Sequence, residues 1–124
     1  MTKRAVLLTL SALAVATLQT GCGDKALTYQ ADIKPIIEAN CIECHVPGGK
    51  GYVKSGLLMD SYENLMKGTK FGAVVVPGSS VSSTLYRLVS GKADPSIRMP
   101  HGGGKLSDAD VATIAAWIDQ GAKN

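Results

Sequence analysis

Five consecutive residues, Cys41-Ile42-Glu43-Cys44-His45, constrain this chain more than any other feature. Cys-x-x-Cys-His is the attachment signature for c-type haem. The two vinyl groups of haem lie on one edge of the ring, and two thiols three positions apart on a tight turn can each add to one of them. The histidine that follows is then carried beneath the ring. The motif therefore predicts one covalent haem held by Cys41 and Cys44, with His45 as an axial iron ligand.

Three other uses of this motif are weaker. A tetrahedral zinc site needs two further ligands, and beyond Cys22 and the motif itself the chain offers only His101 as a cysteine or histidine. A thioredoxin-like redox pair is expected in a βαβ setting, which the sequence does not suggest. A disulfide within the four-residue turn would be strained and would leave His45 without a role.

The first 21 residues are typical of an export signal. Lys3 and Arg4 precede an uncharged, mostly apolar run over 5–18, which is too short to span a bilayer but long enough for a signal peptide. A buried N-terminal helix is the alternative, but the run has no polar face. We predict a signal peptide at 1–21, a tether at 22–28 and one domain at 29–124.

The residues before Cys22, Leu18-Gln19-Thr20-Gly21, are similar to a bacterial lipobox with Gln19 in place of the usual aliphatic residue. Lipid on Cys22 would anchor an exported protein to a membrane, in the periplasm or at the outer membrane, and would use a thiol that is otherwise unpaired. Ordinary cleavage near 14–16 is the alternative.

The charge balance argues against nucleic acid as a partner. Without Lys3 and Arg4, 11 of the 13 basic side chains remain against 10 acidic ones, and they form no basic block. A redox protein is the partner that a haem carrier would need instead.

Helical spacing dominates the rest of the chain and predicts an all-α domain of four to five short helices with glycine-rich loops around the haem. Val74-Val75-Val76 is too short to build a sheet. The capping residues are predicted to be Asp32, Ser61 and Ser107. The predicted helices are 29–40 (continuing through the Cys-x-x-Cys-His motif), 61–67, 80–90 and one from Ser107 to Gly121, and the predicted loops are 46–56 and 93–105.

Met99 is the best candidate for the second axial ligand. It lies in a loop between Arg98 and Pro100, and the proline favours an extended chain at Met99, which suits a loop that crosses the haem. Methionine beside histidine raises the reduction potential. Met59 and Met66 are better explained as core residues. Two alternatives to Met99 as the ligand stay open: Met99 is itself a core residue, or His101 is the ligand.

These residues together resemble bacterial single-haem cytochrome c domains, in particular the planctomycete-type group. That resemblance implies the cytochrome c fold, with the first and last helices packed together and Met99 as distal ligand; relatives are often attached to larger oxidases or dehydrogenases. The matching residues are Asp32-Ile33-Lys34-Pro35-Ile36, the Cys41–His45 motif, Gly56-Leu57 with Asp60, Val76-Pro77-Gly78-Ser79, Ser83-Thr84-Leu85, Met99-Pro100, Leu106-Ser107 and Trp117-Ile118-Asp119 with Gly121-Ala122.

The sequence therefore predicts an electron carrier rather than an enzyme. Two alternatives stay open: a gas sensor or peroxidase-like protein with one open axial site, and a haem subunit of a larger membrane-associated oxidoreductase. Trp117 and Tyr86 are better explained as core residues than as haem contacts.

Overall fold

A computed structural model describes residues 25–102 and 104–124. The signal peptide and the lipidated Cys22 predicted above lie outside these ranges. The described chain is helical and contains no strand, only an isolated bridge between Thr69 and Gly72, so the all-α prediction is confirmed. The helices are a π-helical turn at Tyr29–Ile33, α1 Lys34–Asn40, α2 Lys50–Ser55, α3 Tyr62–Lys67, α4 Thr84–Val89, a 3-10 turn at Pro95–Ile97 and α5 Asp108–Asp119.

The first helical segment begins earlier than its predicted cap. The Thr28 hydroxyl accepts a hydrogen bond from Ala31 N, and the Asp32 carboxylate accepts one from Thr28 N at 2.9 Å. Asp32 was predicted to be the capping residue, but it lies one turn inside and completes a reciprocal cap instead. The helix ends at Asn40, and Cys41 has a non-helical φ of −126°. The prediction that the helix continues through the haem motif was therefore wrong: 41–45 is a series of turns.

Two other boundaries also differ from the predictions. Residues 46–56 were predicted to be a loop, but they contain α2. The helix predicted at 80–90 begins only at Thr84, because Asp119 accepts hydrogen bonds from the backbone and hydroxyl of Ser80 and the buried Ser83 hydroxyl bonds to the backbone of Val76. These bonds hold the preceding residues in turns.

The helices α3 and α5 follow their capping signals. The Ser61 hydroxyl accepts from Asn64 N, and Gly68 ends α3 with a φ of 81°. The Ser107 hydroxyl accepts from Asp110 N at 3.0 Å. Each of these bonds satisfies a backbone donor that the helix itself leaves unpaired, so both helices begin where the sequence predicted.

The first helical segment, the start of α3 and the last helix meet through three aromatic residues. The Tyr29 ring lies 5.6 Å from that of Tyr62 and 6.3 Å from that of Trp117, distances at which aromatic pairs contribute about 0.5–1.5 kcal/mol beyond their burial. Tyr29 N and Trp117 Nε1 both donate to the carbonyl of Lys123. Trp117 is fully buried, so its interpretation as a core residue is correct.

Along the described residues, every helix is too short or too polar to cross a membrane.

Candidate haem-binding site

The turn after α1 places both cysteines of the motif on one short stretch of backbone. The amides of Cys44 and His45 both donate to the carbonyl of Cys41, at 3.2 and 3.1 Å, and Ile42 N donates to Ile37 O. Cys41 is half-buried, Cys44 is exposed, and neither forms a disulfide. The fold thus keeps two free thiols three positions apart, as the motif requires.

Burial, and to a smaller extent the neighbouring Cys44, raise the pKa of the Cys41 thiol to about 11. Cys41 is therefore a neutral thiol at pH 7. Reactive cysteine pairs of disulfide oxidoreductases have lowered pKa values instead. The environment of Cys41 therefore argues against a thioredoxin-like role.

The His45 imidazole is buried and has one defined partner. Its Nδ1 lies 3.2 Å from the carbonyl oxygen of Leu57. A carbonyl can only accept, so Nδ1 carries the proton and Nε2 keeps a free lone pair. Bonds of this kind fix the tautomer and the ring orientation of metal-binding histidines. The His45 carbonyl in turn accepts from Met59 N at 2.9 Å, which joins the motif to the segment that carries Leu57.

The start of α2 packs directly against the motif. A Cβ placed on Gly51 would lie 2.7 Å from His45 Cε1 and 2.8 Å from Nε2, and one on Gly49 would lie 2.5 Å from the Cys44 carbonyl oxygen. Only glycine fits at these two positions. Tyr52 N also donates to the Cys44 carbonyl. This contact was not predicted, because the glycines at 48, 49 and 51 are typical of a loop; their close spacing after the motif is the signal that could have indicated it.

Met99 lies on the segment before α5 and packs, half-buried, against the same hydrophobic core as Cys41. Its amide donates to Leu88 O at 3.3 Å. His101, the rival ligand, is exposed. Met59 is buried and Met66 half-buried in the core, as predicted for both. The Arg98 side chain lies over Gly91.

Across the described ranges, no group of three histidine, cysteine, aspartate or glutamate side chains comes together as a metal site. A zinc centre built on Cys41 and Cys44 would need such a group.

Comparison with known proteins agrees with the motif. A sequence model described as Planctomycete cytochrome C matches residues 41–103. The cytochrome c6 of Synechococcus sp. (strain PCC 6312) is 32% identical over 120 residues, which cover 95% of each chain. The chain belongs to the cytochrome c family. The cytochrome c6 of Picosynechococcus sp. (strain PCC 7002) is 30% identical over 119 residues, covering 93% of this cytochrome and 95% of that protein. No solved structure matches it.

The cofactor of this cytochrome is covalent haem c, and its site fits that group. Cys41 and Cys44 supply two free thiols from one turn, the His45 ring is held with Nε2 available as a donor, and Gly51 leaves the space that the imidazole occupies. As a member of a family of electron carriers, the protein is a haem redox protein and not an enzyme.

Proposed function

We propose that this cytochrome transfers single electrons through an iron with two axial protein ligands, His45 and Met99, while Cys41 and Cys44 hold the haem by thioether bonds. The observation that carries the histidine assignment is the 3.2 Å contact between His45 Nδ1 and the Leu57 carbonyl. It leaves Nε2 as the donor atom. Met99 is favoured over the rival His101 because it is half-buried, whereas His101 is exposed. Packing on the core is expected of a core methionine as well, and the variants below separate a ligand from a core residue.

When bound, the haem supplies the one-electron chemistry. The protein residues set its conditions. The Leu57 carbonyl orients the His45 ring by accepting a hydrogen bond from Nδ1–H, which leaves Nε2 as the donor atom. The Met99 thioether would favour the reduced iron and so raise the potential. Both ligands stay in place during electron transfer in this proposal, so little has to rearrange.

The ligand assignment is tested by comparing Met99→Ala with Met66→Ala. Both methionines are half-buried and pack against the core, so a loss of packing alone should affect the two variants similarly. We expect Met99→Ala to lose the near-infrared band of the methionine–iron bond. Its potential should fall by on the order of 100 mV, a modest part of the ~0.8 V range that axial ligands control. Met66→Ala should keep both.

Unchanged spectra and potential in Met99→Ala would show that Met99 is not a ligand. Adding carbon monoxide or cyanide to the same proteins separates an electron carrier from a gas sensor or peroxidase-like protein. Such a protein would have an open axial site already in the unmodified chain, and its spectrum would change on adding carbon monoxide or cyanide at once. We expect slow or no binding in the unmodified chain and fast binding in Met99→Ala.

We also propose that the protein is exported and that lipid on Cys22 anchors it to a membrane, where it passes electrons to or from a larger dehydrogenase or oxidase. The basic start and apolar run before Cys22 support this proposal. The full chain should fractionate with membranes, and Cys22→Ser should release it. If the Cys22→Ser protein stays with the membrane, lipid on this residue is not the anchor.

A further inference from the structure

The chain that leads into the first helical segment is bonded to the end of the last helix. Gln120 directly follows α5, and its side-chain amide makes two bonds to this chain. Leu27 N donates to Gln120 Oε1 at 2.8 Å, and Gln120 Nε2 donates to the Lys25 carbonyl at 3.2 Å. One amide thus satisfies a backbone donor and a backbone acceptor two residues apart. We name residues 25–28 the stem.

Two further interactions hold the stem. Lys25 Nζ forms an ion pair with the Asp32 carboxylate, which also accepts a hydrogen bond from Thr28 N at 2.9 Å. Leu27 packs, half-buried, against the hydrophobic core. The stem belongs to the segment that the sequence predicted to be a tether, yet from Lys25 onward the chain is fixed to the folded domain.

Three peptide units separate Lys25 from Cys22, the residue proposed to carry lipid. An extended chain spans at most about 3.3–3.6 Å per residue, so the Cα atoms of these two residues lie no more than about 11 Å apart. The hydrocarbon core accounts for about 30 Å of a bilayer of about 40–45 Å, which makes one headgroup layer roughly 5–8 Å thick. A lipid on Cys22 would therefore leave almost no free chain between the headgroups and Lys25.

The surface around the stem is built by both ends of the described chain. Gln120 and Lys123 line one cleft together with the stem. Tyr29 N donates to the Lys123 carbonyl, and the next residue along each segment, Gln30 and Asn124, are bonded through their side chains at 3.2 Å. The side chains of Gln30, Gln120, Lys123 and Asn124 are exposed. We name these four residues the stem face.

The haem-binding turn lies at the opposite end of the first helical segment from the stem. Residues 29–40 are helical, which places Cys41 roughly 15–18 Å along the helix axis from the stem. The helix α2 packs on the haem motif through Gly49 and Gly51, and it carries Val53, which is 68% exposed. Val53 therefore marks the haem end of the molecule on its surface.

We propose that the stem face is the surface that this cytochrome presents to a membrane, with lipid headgroups as its partner. The proposal rests on the proposed lipid anchor at Cys22 and adds an orientation to it. The bonds to Gln120 shorten the free chain from the six peptide units before Thr28 to the three before Lys25. The stem thus holds the domain against the headgroups, and the haem-binding turn lies at the end of the helical segment away from the bilayer, where a redox partner can reach it.

The test measures which backbone amides lie near lipid headgroups. The mature haem-loaded protein, isotope-labelled and reduced, is placed in phosphatidylcholine nanodiscs that contain a lipid with a gadolinium chelate on its headgroup. We expect the NMR signals of the stem-face amides to be broadened and the Val53 amide to keep its line width.

A second preparation keeps a failure of the lipid anchor apart from a failure of this orientation. Once haem occupies Cys41 and Cys44, Cys22 is the one remaining thiol of the three cysteines. Protein that cells leave without lipid is coupled at Cys22 to a maleimide phospholipid and measured in the same nanodiscs. Absence of lipid in the cell-made protein would then contradict the anchor, whereas the pattern of broadening still tests the orientation.

Variants of the stem supply the second arm. Lys25→Ala with Gln120→Ala removes the ion pair and the amide bridge, and the chain from Cys22 to Thr28 could then extend to about 20 Å, so the broadening at Gln30 and Lys123 should fall roughly twofold or more. Gln30→Ala with Lys34→Ala is the matched control. It also removes one amide and one lysine, whose partners are Asn124 and Glu38 and not the stem, and it should keep the broadening.

Unchanged visible spectra would show that each variant is folded. Three results would each overturn the proposal: a stem face that is not broadened, a Val53 amide that is broadened as much as the stem face, and broadening that survives in Lys25→Ala with Gln120→Ala.

Discussion

The two segments that would lie on opposite faces of the haem are held very differently. The proximal segment, residues 41–59, is tied by backbone bonds of 2.9 Å from Tyr52 to Cys44 and from Met59 to His45, and by the ring contact to Leu57. In the Met99 loop, residues 93–102, the bonds next to the proposed ligand are longer, at 3.4 Å from Arg98 to Pro95 and 3.3 Å from Met99 to Leu88. Shorter bonds of 2.6–3.0 Å, from Ser96 and Ile97 to Asp94, lie within the 3-10 turn of the loop. Hydrogen bonds weaken as they lengthen.

This contrast implies that the proximal segment and the Met99 loop have different roles. The proximal segment fixes the attachment and the histidine as parts of the fold, whereas the proposed distal ligand is carried by a loop that can move with less cost. Substitutions that change the axial ligand or the reduction potential are therefore expected to act mainly in the Met99 loop. Loss of the cofactor should arise only when the proximal side is altered.

The largest expected effect is the loss of the haem when its covalent attachment on the proximal side is removed. In Cys41→Ser with Cys44→Ser, only the axial ligands would hold the haem, with no covalent bond to the protein. We expect acidified organic solvent to extract essentially all the pigment from the double variant and none from the unmodified protein. Cys44→Ser alone keeps one thioether and should retain its pigment, as should Met99→Ala. Retained pigment in the double variant would contradict the assignment of both cysteines.

Adding a methyl group at Gly51 should have the next largest effect. Alanine favours helices over glycine by up to about 1 kcal/mol, so a helix position free of contacts would be stabilised. At Gly51 the new Cβ would meet the His45 ring at 2.7 Å, and crowding of this kind costs about 1–3 kcal/mol. We expect Gly51→Ala to lower the free energy of unfolding of the haem-loaded protein, measured with denaturant, and to shift its reduction potential.

Gly104→Ala is the control for this substitution, because a Cβ there meets nothing within 4 Å. Its unfolding free energy and potential should match those of the unmodified protein within experimental error. A gain in stability for Gly51→Ala would mean that the imidazole is not pressed against α2, and that the proximal segment is no better fixed than the Met99 loop.

The sequence predicted the elements whose signals are local. Ser61 and Ser107 cap α3 and α5 because a hydroxyl, three residues ahead of a backbone donor, can act without help from the rest of the fold. The helix α2 was missed for the opposite reason. Its N-cap, Gly49, makes no side-chain bond, and its glycines are required by Cys44 and His45, which lie outside the helix. A tertiary contact of this kind cannot be deduced from helix propensity.

The candidate site shows the same division. Covalent attachment and the identity of the proximal ligand follow from five adjacent residues, so the motif alone predicts them. The Leu57 carbonyl that orients His45 is 12 positions away and has no side-chain signal, because any residue has a carbonyl. Met99 was chosen from its loop and its proline, and its packing on the core agrees with that choice without testing it.

The smallest predicted effect is an acid transition confined to the Met99 loop. The Ser96 hydroxyl and then the Ser96 amide donate to Asp94, at 2.6 and 2.9 Å, and these bonds hold the pKa of the Asp94 carboxyl below its ordinary value of 3.8. A group whose pKa is lowered by folding stabilises the fold above its unfolded pKa, and that contribution is lost as the pH falls through the folded value. Acid should therefore loosen the 3-10 turn at Pro95–Ile97 before it affects the proximal segment.

A pH titration of the reduced protein followed by NMR would measure this transition. The Ser96 amide shift should move with an apparent pKa below 3.8, while the Gly51 amide, which lies against His45, stays constant over the same range. Asp94→Ala should remove the titration from Ser96 and leave the pigment attached, because neither thioether depends on this loop. If the Gly51 amide shift changed together with that of Ser96, the proximal segment and the Met99 loop would respond to acid as one unit. The difference in how firmly the two are held would then have no consequence for the protein in solution.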